Sequence, residues 1–134
     1  MEPSLALQAA IRDRLISSSA LTSLIPADNI LDKNALPLAM PCILLGEGQT
    51  IPDAGLARDR HKVFLDLHIW HKEPGLAQSK TVAGAIRDAL SDAFWIVPGF
   101  DVADLYVTMS RFMRDPDGIH SHGVISLKAQ VREL

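Results

Sequence analysis

The sequence is 134 residues long, with 48% hydrophobic and 22% charged residues, which is the composition of an ordinary globular domain. A chain of this length buries roughly two-thirds of its unfolded surface in one core, so we expect a single domain spanning residues 1–134. Thirteen Lys and Arg against sixteen Asp and Glu give a net charge of −3, and no run of cations could neutralise a row of phosphates, which argues against tight nucleic-acid binding.

The single cysteine and the first residues bear on the compartment. Cys42 lies in the apolar run 42–45 and has no second cysteine to pair with, so a buried thiol and synthesis in a reducing cytoplasm are expected. Residues 1–4 lack a basic region followed by an apolar stretch, and no segment approaches the roughly 18 apolar residues of a membrane helix. We therefore expect neither export by a signal peptide nor a membrane span.

The first 30 residues predict helices. Apolar residues at helical spacing indicate an amphipathic helix over residues 4–17 with Ser4 as its N-cap. Residues 19–25 predict a short second helix that Pro26 ends, because proline cannot donate the next backbone hydrogen bond. A brief extended segment around Ile30 follows.

The next part predicts a strand and a loop. Pro37 and Pro41 bracket a turn that leads into a short apolar strand over residues 42–47. Residues 46–60 hold three glycines and a proline but few large apolar groups, so they cannot bury enough surface to hold one conformation alone. This segment is predicted to be a long mobile loop.

The centre of the chain holds the clearest strand and the main helix. Residues 61–72 alternate between an apolar face and a mixed face, as a half-buried strand does. Pro74 suits a first helical turn, and apolar residues then recur at helical spacing up to about Trp95. The helix is therefore predicted over residues 74–95.

The last third predicts a hairpin. Residues 101–114 alternate with Leu105, Val107 and Met109 on one side, Asp115-Pro116-Asp117-Gly118 favours a turn, and residues 120–132 alternate again. The resulting order α-β-β-α-β-β predicts an α+β two-layer sandwich, in which a mainly antiparallel or mixed four-stranded sheet carries its helices on one face.

No motif indicates catalysis. His120 and His122 share one strand face and could bind a metal with a third group such as His68, but no Cys partner or His-Glu-x-x-His helix supports such a site. No serine lies on a Gly-x-Ser-x-Gly turn, and the acidic turn at residues 115–118 departs from a calcium loop because Ile119 takes an oxygen-ligand position. We predict no catalytic residue, no cofactor-binding residue and no metal ligand.

The aromatic residues of the predicted strands suggest a surface instead. Phe64, Trp70, Tyr106 and Phe112 fall on outward faces among polar side chains, and half-apolar faces of this kind favour partner contacts. The alternative is that the N-terminal helices cover some of these rings within the same subunit.

Four segments carry a family resemblance. They are Pro41-Cys42-Ile43-Leu44-Leu45-Gly46-Glu47, Leu65-Asp66-Leu67-His68-Ile69-Trp70, Ala83-Gly84-Ala85-Ile86-Arg87 and Arg111-Phe112-Met113-Arg114-Asp115-Pro116-Asp117-Gly118. Together, over nearly the whole chain, they resemble the tail completion, or tail terminator, family of phage tails, and most of all its members from alphaproteobacterial gene transfer agents.

The resemblance implies a non-enzymatic structural protein without a cofactor. It would cap the tail tube, end its polymerisation and join the tail to the head connector or stopper protein as a homo-hexameric ring, with DNA passing through the lumen without specific binding. Assembly in the bacterial cytoplasm and a place in the phage-like particle follow, with no membrane partner. The alternatives are another head-to-tail joining or minor tail protein, and, less favoured, a small metal-dependent enzyme using His68, His120 and His122.

Candidate subunit contacts follow from this reading. The charged end of the predicted loop contributes Arg58 and Arg60, and the outward strand faces contribute the four aromatic residues. Buried aromatic residues supply the largest single contributions at many interfaces. The predicted interface residues are Arg58, Arg60, Phe64, Trp70, Tyr106 and Phe112.

Overall fold

The computed structural model describes residues 1–32 and 39–134 as an α+β fold, which confirms the predicted class. The predicted turn residue Pro37 lies outside the described residues. The helices are α1 (Pro3–Ile16), α2 (Ser19–Thr22) and α3 (Ala77–Ala89), with a 3-10 turn at Ala27–Asn29. The strands are β1 (Ile30–Leu31), β2 (Cys42–Pro52), β3 (Arg60–Lys72), β4 (Phe100–Arg114) and β5 (His120–Glu133).

One mixed sheet joins the strands in the order β1-β2-β3-β5-β4. Only β1 and β2 run parallel, with Ile30 opposite Ile43. The prediction of four strands was therefore one too few, because a strand of two residues is too short to show a period of two. The long β3–β5 pairing, from Arg60↔Arg132 to Lys72↔His120, forms the middle of the sheet.

The helices pack on one face of this sheet. Leu7, Ile11 and Leu15 of α1 and Val82 and Ile86 of α3 are fully buried against it. On the sheet, every second residue of β3 and β5 contributes to the same core. These strand residues are Val63, Leu65, Leu67, Ile69, Ile125, Leu127, Ala129 and Val131.

The other face of the sheet is half-buried to exposed, and we call it the open face. Strand register assigns its side chains. Its residues include Leu44, Lys62, Phe64, Asp66, His68, Trp70, Asp104, Tyr106, Met109, Arg111, Met113, His122, Val124, Ser126, Lys128 and Gln130.

Residues 48–52 belong to β2, so the predicted loop over residues 46–60 is wrong in extent. The loop is reduced to residues 53–59, where Asp53 N donates to Arg60 O (2.9 Å) and Asp59 O accepts from Glu133 N (2.7 Å). This segment buries too little surface to hold one conformation alone, but β3 supplies the hydrogen bonds that hold residues 48–52 as a strand. The added pairs are Gly48↔Leu65, Gln49↔Phe64, Thr50↔Val63, Ile51↔Lys62 and Pro52↔His61.

An irregularity in β4 corrects the predicted alternation of this strand. The register shifts between Val107 and Met109, and a bulge of this kind moves every later side chain to the opposite face. Met109, predicted inward with Val107, lies exposed on the open face. Phe112, predicted to share the face of Tyr106, lies half-buried on the helix side instead.

The ends of the main helix also differ from the prediction. Helix α3 begins at Ala77 rather than Pro74 and ends at Ala89 rather than Trp95. At the earlier helix, the carboxylate of Glu2, not Ser4, caps α1 by accepting from Ser4 N (3.1 Å). Residues with apolar spacing beyond Ala89 follow the helical pattern by coincidence, because they lie in an irregular connection to β4.

A buried carboxylate fixes the start of α3. Glu73 accepts hydrogen bonds from the backbone N–H groups of Gln78 and Ser79 (3.0 Å each) and from Ser121 Oγ (2.8 Å). Burial raises the pKa of Glu73, but these hydrogen bonds outweigh it and hold the pKa below its ordinary value of 4.5. One side chain thereby ties the helix N-terminus to β5, where the helix dipole also favours negative charge.

Replacing Glu73 by alanine is expected to cost about 2–3 kcal/mol of unfolding free energy, because buried donors lose a charged acceptor. The folded-state pKa is depressed, so this contribution is present at neutral pH and is lost as the pH falls through the folded pKa, below 4.5. Urea unfolding at neutral pH measures the loss. Asp104→Ala, at an exposed position, is the control and should stay within about 0.5 kcal/mol of wild type; equal losses in the two variants would contradict the assignment.

Candidate interaction surface

Three rings stack at one end of the open face. Trp70 and His122 lie nearly parallel with ring centroids 4.0 Å apart, and the ring centroid of His68 lies 5.0 Å from that of His122. His68 Nδ1 and His122 Nε2 are joined by a hydrogen bond of 2.8 Å. His68 and His122 are therefore partly buried and paired with each other across β3 and β5.

A carboxylate and a glycine on β2 complete this cluster. Glu47 contacts His68 Nε2 at 3.1 Å, and the hydrogen bond from His68 lowers the pKa of Glu47. Gly46 faces the same ring, and a Cβ at Gly46 would overlap it. Glycine is therefore required at position 46 for the close approach of β2 to His68.

The charge state of His122 depends on this environment. Burial lowers the pKa of His122 and the neighbouring His68 lowers it further, against smaller opposing effects of Asp115 and Glu47. A neutral His122 accepts or donates one hydrogen bond within the stack. His68, His122 and Glu47 thus provide hydrogen-bond partners for one another on a sheet face that none of the described helices covers.

The acidic turn between β4 and β5 is fully engaged by its own backbone. Asp115, Asp117 and His120 bring ligand atoms within 4.8 Å of one another. Asp117, however, accepts hydrogen bonds from Ile119 N and from His120, and these hydrogen bonds lower its pKa to about 2. The third histidine of the metal-enzyme alternative, His120, thus bonds within this turn, while His68 and His122 bond to each other.

The remainder of the open face is mixed in polarity. Lys128 lies over the ring of Phe64 at 5.9 Å, and Asp66 accepts a hydrogen bond from Ser126 Oγ at 2.8 Å. Tyr106 and Met109 on the neighbouring strand are 44% and 51% exposed. Large apolar groups flanked by charged and hydroxyl groups are typical of the core and rim of a protein interface.

The predicted interface residues do not form one patch. Phe64, Trp70 and Tyr106 share the open face, whereas Phe112 lies on the helix side, where Lys80 approaches its ring at 5.8 Å. Arg58 and Arg60 are exposed at the β2–β3 end of the molecule. Arg58 adopts a left-handed backbone conformation with φ of 55°.

One exposed apolar segment was missed. Residues 91–97 connect α3 to β4 and display Phe94 and Ile96, which are 71% and 76% exposed. The prediction of a helix up to Trp95 placed these residues in a regular element. Asp92 was the available signal, since its carboxylate accepts from Phe94 N at 2.9 Å in a local turn.

Comparison with known proteins identifies the family. The sequence model of the family described as tail completion protein gp17 matches residues 9–132. The chain belongs to this family. This match confirms the resemblance to the tail completion family that the sequence suggested. The protein is therefore a structural component of phage-type tails.

Two solved structures share the fold. A chain of the virion of a native gene transfer agent particle is 20% identical with a TM-score of 0.83, and the match covers 98% of this chain and 99% of that one. The bacteriophage SPP1 gp17 protein is 19% identical with a TM-score of 0.64, over 94% and 88% of the two chains. No curated protein matches the sequence.

None of the described helices combines the length and the apolar character needed to cross a bilayer.

The depressed pKa of His122 predicts a pH dependence of stability. Below the ordinary histidine value of 6.5, the unfolded chain binds a proton that the folded stack resists, so stability falls as the pH drops through this range. His122→Phe keeps an aromatic ring on Trp70 and should flatten this fall between about pH 7.5 and pH 5. Urea unfolding across that range is the measurement, and parallel profiles for the two proteins would count against it.

Proposed function

We propose that the protein caps the tail tube, ends its polymerisation and joins the tail to the head connector as a ring of identical subunits. The observation that carries the proposal is the family match over residues 9–132, together with the full-length likeness to a chain of a gene transfer agent virion. The role is mechanical and acts through shape complementarity, without bond-making chemistry. Its partners are other copies of the chain, the tube protein and the connector or stopper protein.

The shape of the subunit supports assembly into a ring. A closed ring of identical subunits needs two different surfaces on each subunit, one complementary to the other. The open face is one such surface, since it carries large apolar groups that no described helix covers. Phe64, Trp70 and Tyr106 are proposed as contacts on it, and half-buried Phe112 as a contact on the helix side.

The charges support passage of DNA through a ring. The chain carries a net charge of −3, so a lumen built from it would have no strong attraction for a polyanion. Sequence-independent binding requires several cations placed along the phosphates. DNA is therefore proposed to move past the protein without specific binding.

The β2–β3 end is proposed to contact a neighbour or a tube subunit. Arg58 is exposed there on the loop of residues 53–59, and Arg60 is exposed at the first position of β3. Two guanidinium groups at a rim favour an acidic partner surface and speed association. Hexameric closure and assembly in the bacterial cytoplasm before incorporation into the particle are part of the same proposal.

Deleting the gene is expected to leave tails of uncontrolled length that do not attach to filled heads, because nothing stops the growing tube. Electron microscopy of particles from the deletion strain measures tail length and attachment, and a plasmid copy should restore both. Tails of normal length on filled heads would refute capping. A gold label on the tagged protein then locates it; a label away from the junction would favour another minor tail component.

Reversing the two positive charges at the β2–β3 end, Arg58→Glu with Arg60→Glu, should lower the yield of complete particles about tenfold, as expected for like charges brought together at one contact. Lys72→Glu reverses one exposed positive charge at the opposite end of β3 and serves as the control. Both variants should unfold at the wild-type temperature. Normal yield from the loop variant would remove the β2–β3 end from the contact.

A further inference from the structure

The connection between α3 and β4 presents two apolar side chains side by side. Within residues 91–97, which we call the Phe94 loop, Phe94 and Ile96 point outward, whereas Val97 is buried and Trp95 is partly buried against the core. Isolated exposed apolar residues are common, but two large ones on alternate positions of one short segment form a projecting apolar pair. Exposing two such side chains to water is unfavourable, so the pair is a candidate for contact with another molecule.

Arg14 holds the Phe94 loop in place. Its guanidinium donates from Nη1 to Asp92 O (3.1 Å) and from Nη2 to Phe94 O, and it lies 3.7 Å from the centroid of Trp95. Beyond the loop, Phe100 N donates to Val97 O at 3.0 Å. The apolar pair is thereby fixed before any partner arrives, which reduces the entropy cost of binding.

Acidic groups flank the apolar pair. Asp13 of α1 and Asp92 line the same open depression of about 370 Å³ as Phe94 and Ile96. The cation within that depression, Arg14, is occupied by the loop carbonyls and Trp95. The Phe94 loop is therefore an apolar anchor with a negative rim.

We propose that the Phe94 loop of one subunit docks on the open face of the next copy, against Tyr106 and Met109. This inference rests on the proposed ring and names the contact that closes it. Both target residues are about half exposed, and the cations Lys128 and Arg111 belong to the same face. The acidic rim of Asp13 and Asp92 thus meets Lys128 and Arg111 beside the target pair, a surface that also carries Asp104 next to Tyr106.

Lys128 and Arg111 on the open face are opposite in charge to Asp13 and Asp92 beside the Phe94 loop, and this complementarity within one chain supports a second copy as the occupant. Asp66, in the strand row of Met109, is engaged by Ser126 Oγ, and Lys128 lies between Phe64 and Tyr106 across the sheet. The Phe94 loop lies on the helix side and the target lies on the opposite side of the sheet. The contact is therefore heterologous, and it repeats head to tail as a ring requires.

A cysteine pair tests the contact directly in assembled particles. Ile96→Cys with Met109→Cys should form disulfides between subunits, because the two positions lie on opposite sides of the sheet in one subunit and cannot pair within it. Cys42 is buried and stays in place. After oxidation, a denaturing non-reducing gel should show multiples of the 14.6 kDa chain, while each single variant should run as a monomer.

Other patterns on the same gel would overturn the proposal. A dimer from Ile96→Cys alone would indicate a two-fold contact between identical loops. A product combining this chain with a tube or connector subunit would show that a different protein occupies the surface. Monomer alone from the double variant would place the two residues apart in the particle.

Matched substitutions test the energetics. Phe94→Gln with Ile96→Gln should lower the yield of complete particles about tenfold or more, as for loss of central apolar anchors, while Leu5→Gln, at an exposed apolar position of α1, should not. Asp13→Lys should lower the yield and Lys128→Asp should restore it in the same chain. Thermal unfolding should be unchanged in all of them.

Normal particle yield from Phe94→Gln with Ile96→Gln would overturn this contact while leaving the capping role to be judged by the deletion strain. Failure of Lys128→Asp to rescue Asp13→Lys would overturn the pairing of the two charged rims. If the deletion strain itself made normal tails, the proposed function would fail before the contact was tested.

Discussion

The structure depends on a sheet whose helices cover one face only. Backbone pairing makes side chains alternate between the two faces. The residues that alternate with the core residues of β3 and β5 therefore lie on the other side, and apart from Val124 they are polar or aromatic. The core residues Val63, Leu65, Leu67 and Ile69 are buried because α1 and α3 lie over them. The same register places Phe64, His68 and Trp70 on the opposite face, which none of the described helices covers.

An uncovered face is stable only if its polar groups have partners and its apolar area is limited or covered by another molecule. The first condition is met within the subunit by the stack of Trp70, His122 and His68, by Glu47, and by the Asp66–Ser126 hydrogen bond. The second is met only in part, since Tyr106 and Met109 stay exposed. The proposed ring would cover these two residues.

Much of this architecture could be predicted from the sequence because it follows from local periodicity. The alternation of residues 61–72 and 120–132 and the turn at Asp115-Pro116-Asp117-Gly118 indicated the central strands and their hairpin. Errors arose where a distant element decides the outcome. Residues 48–52 form a strand only because β3 lies beside them. The extended segment predicted around Ile30 becomes a fifth strand, β1, through its pairing with β2.

The candidate surfaces were harder to predict than the fold, because they depend on irregularities. The register shift near Thr108 moves Met109 outward and Phe112 inward, and simple alternation cannot place it. Residues 91–95 of the Phe94 loop are predicted to be helical because Ala89, Leu90 and Ala93 keep helical spacing. Pairing of His68 with His122 depends on strands 54 residues apart in the chain, which sequence spacing does not reveal.

The position of β5 has a consequence for the order of events in the cell. β5 follows β4 in the chain but lies between β4 and β3, so β4 is hydrogen-bonded into the sheet through β5, a strand synthesised after it. Until β5 inserts, Tyr106 and Met109 have no fixed positions relative to Phe64 and Trp70. A chain that lacks β5 therefore cannot display the complete open face.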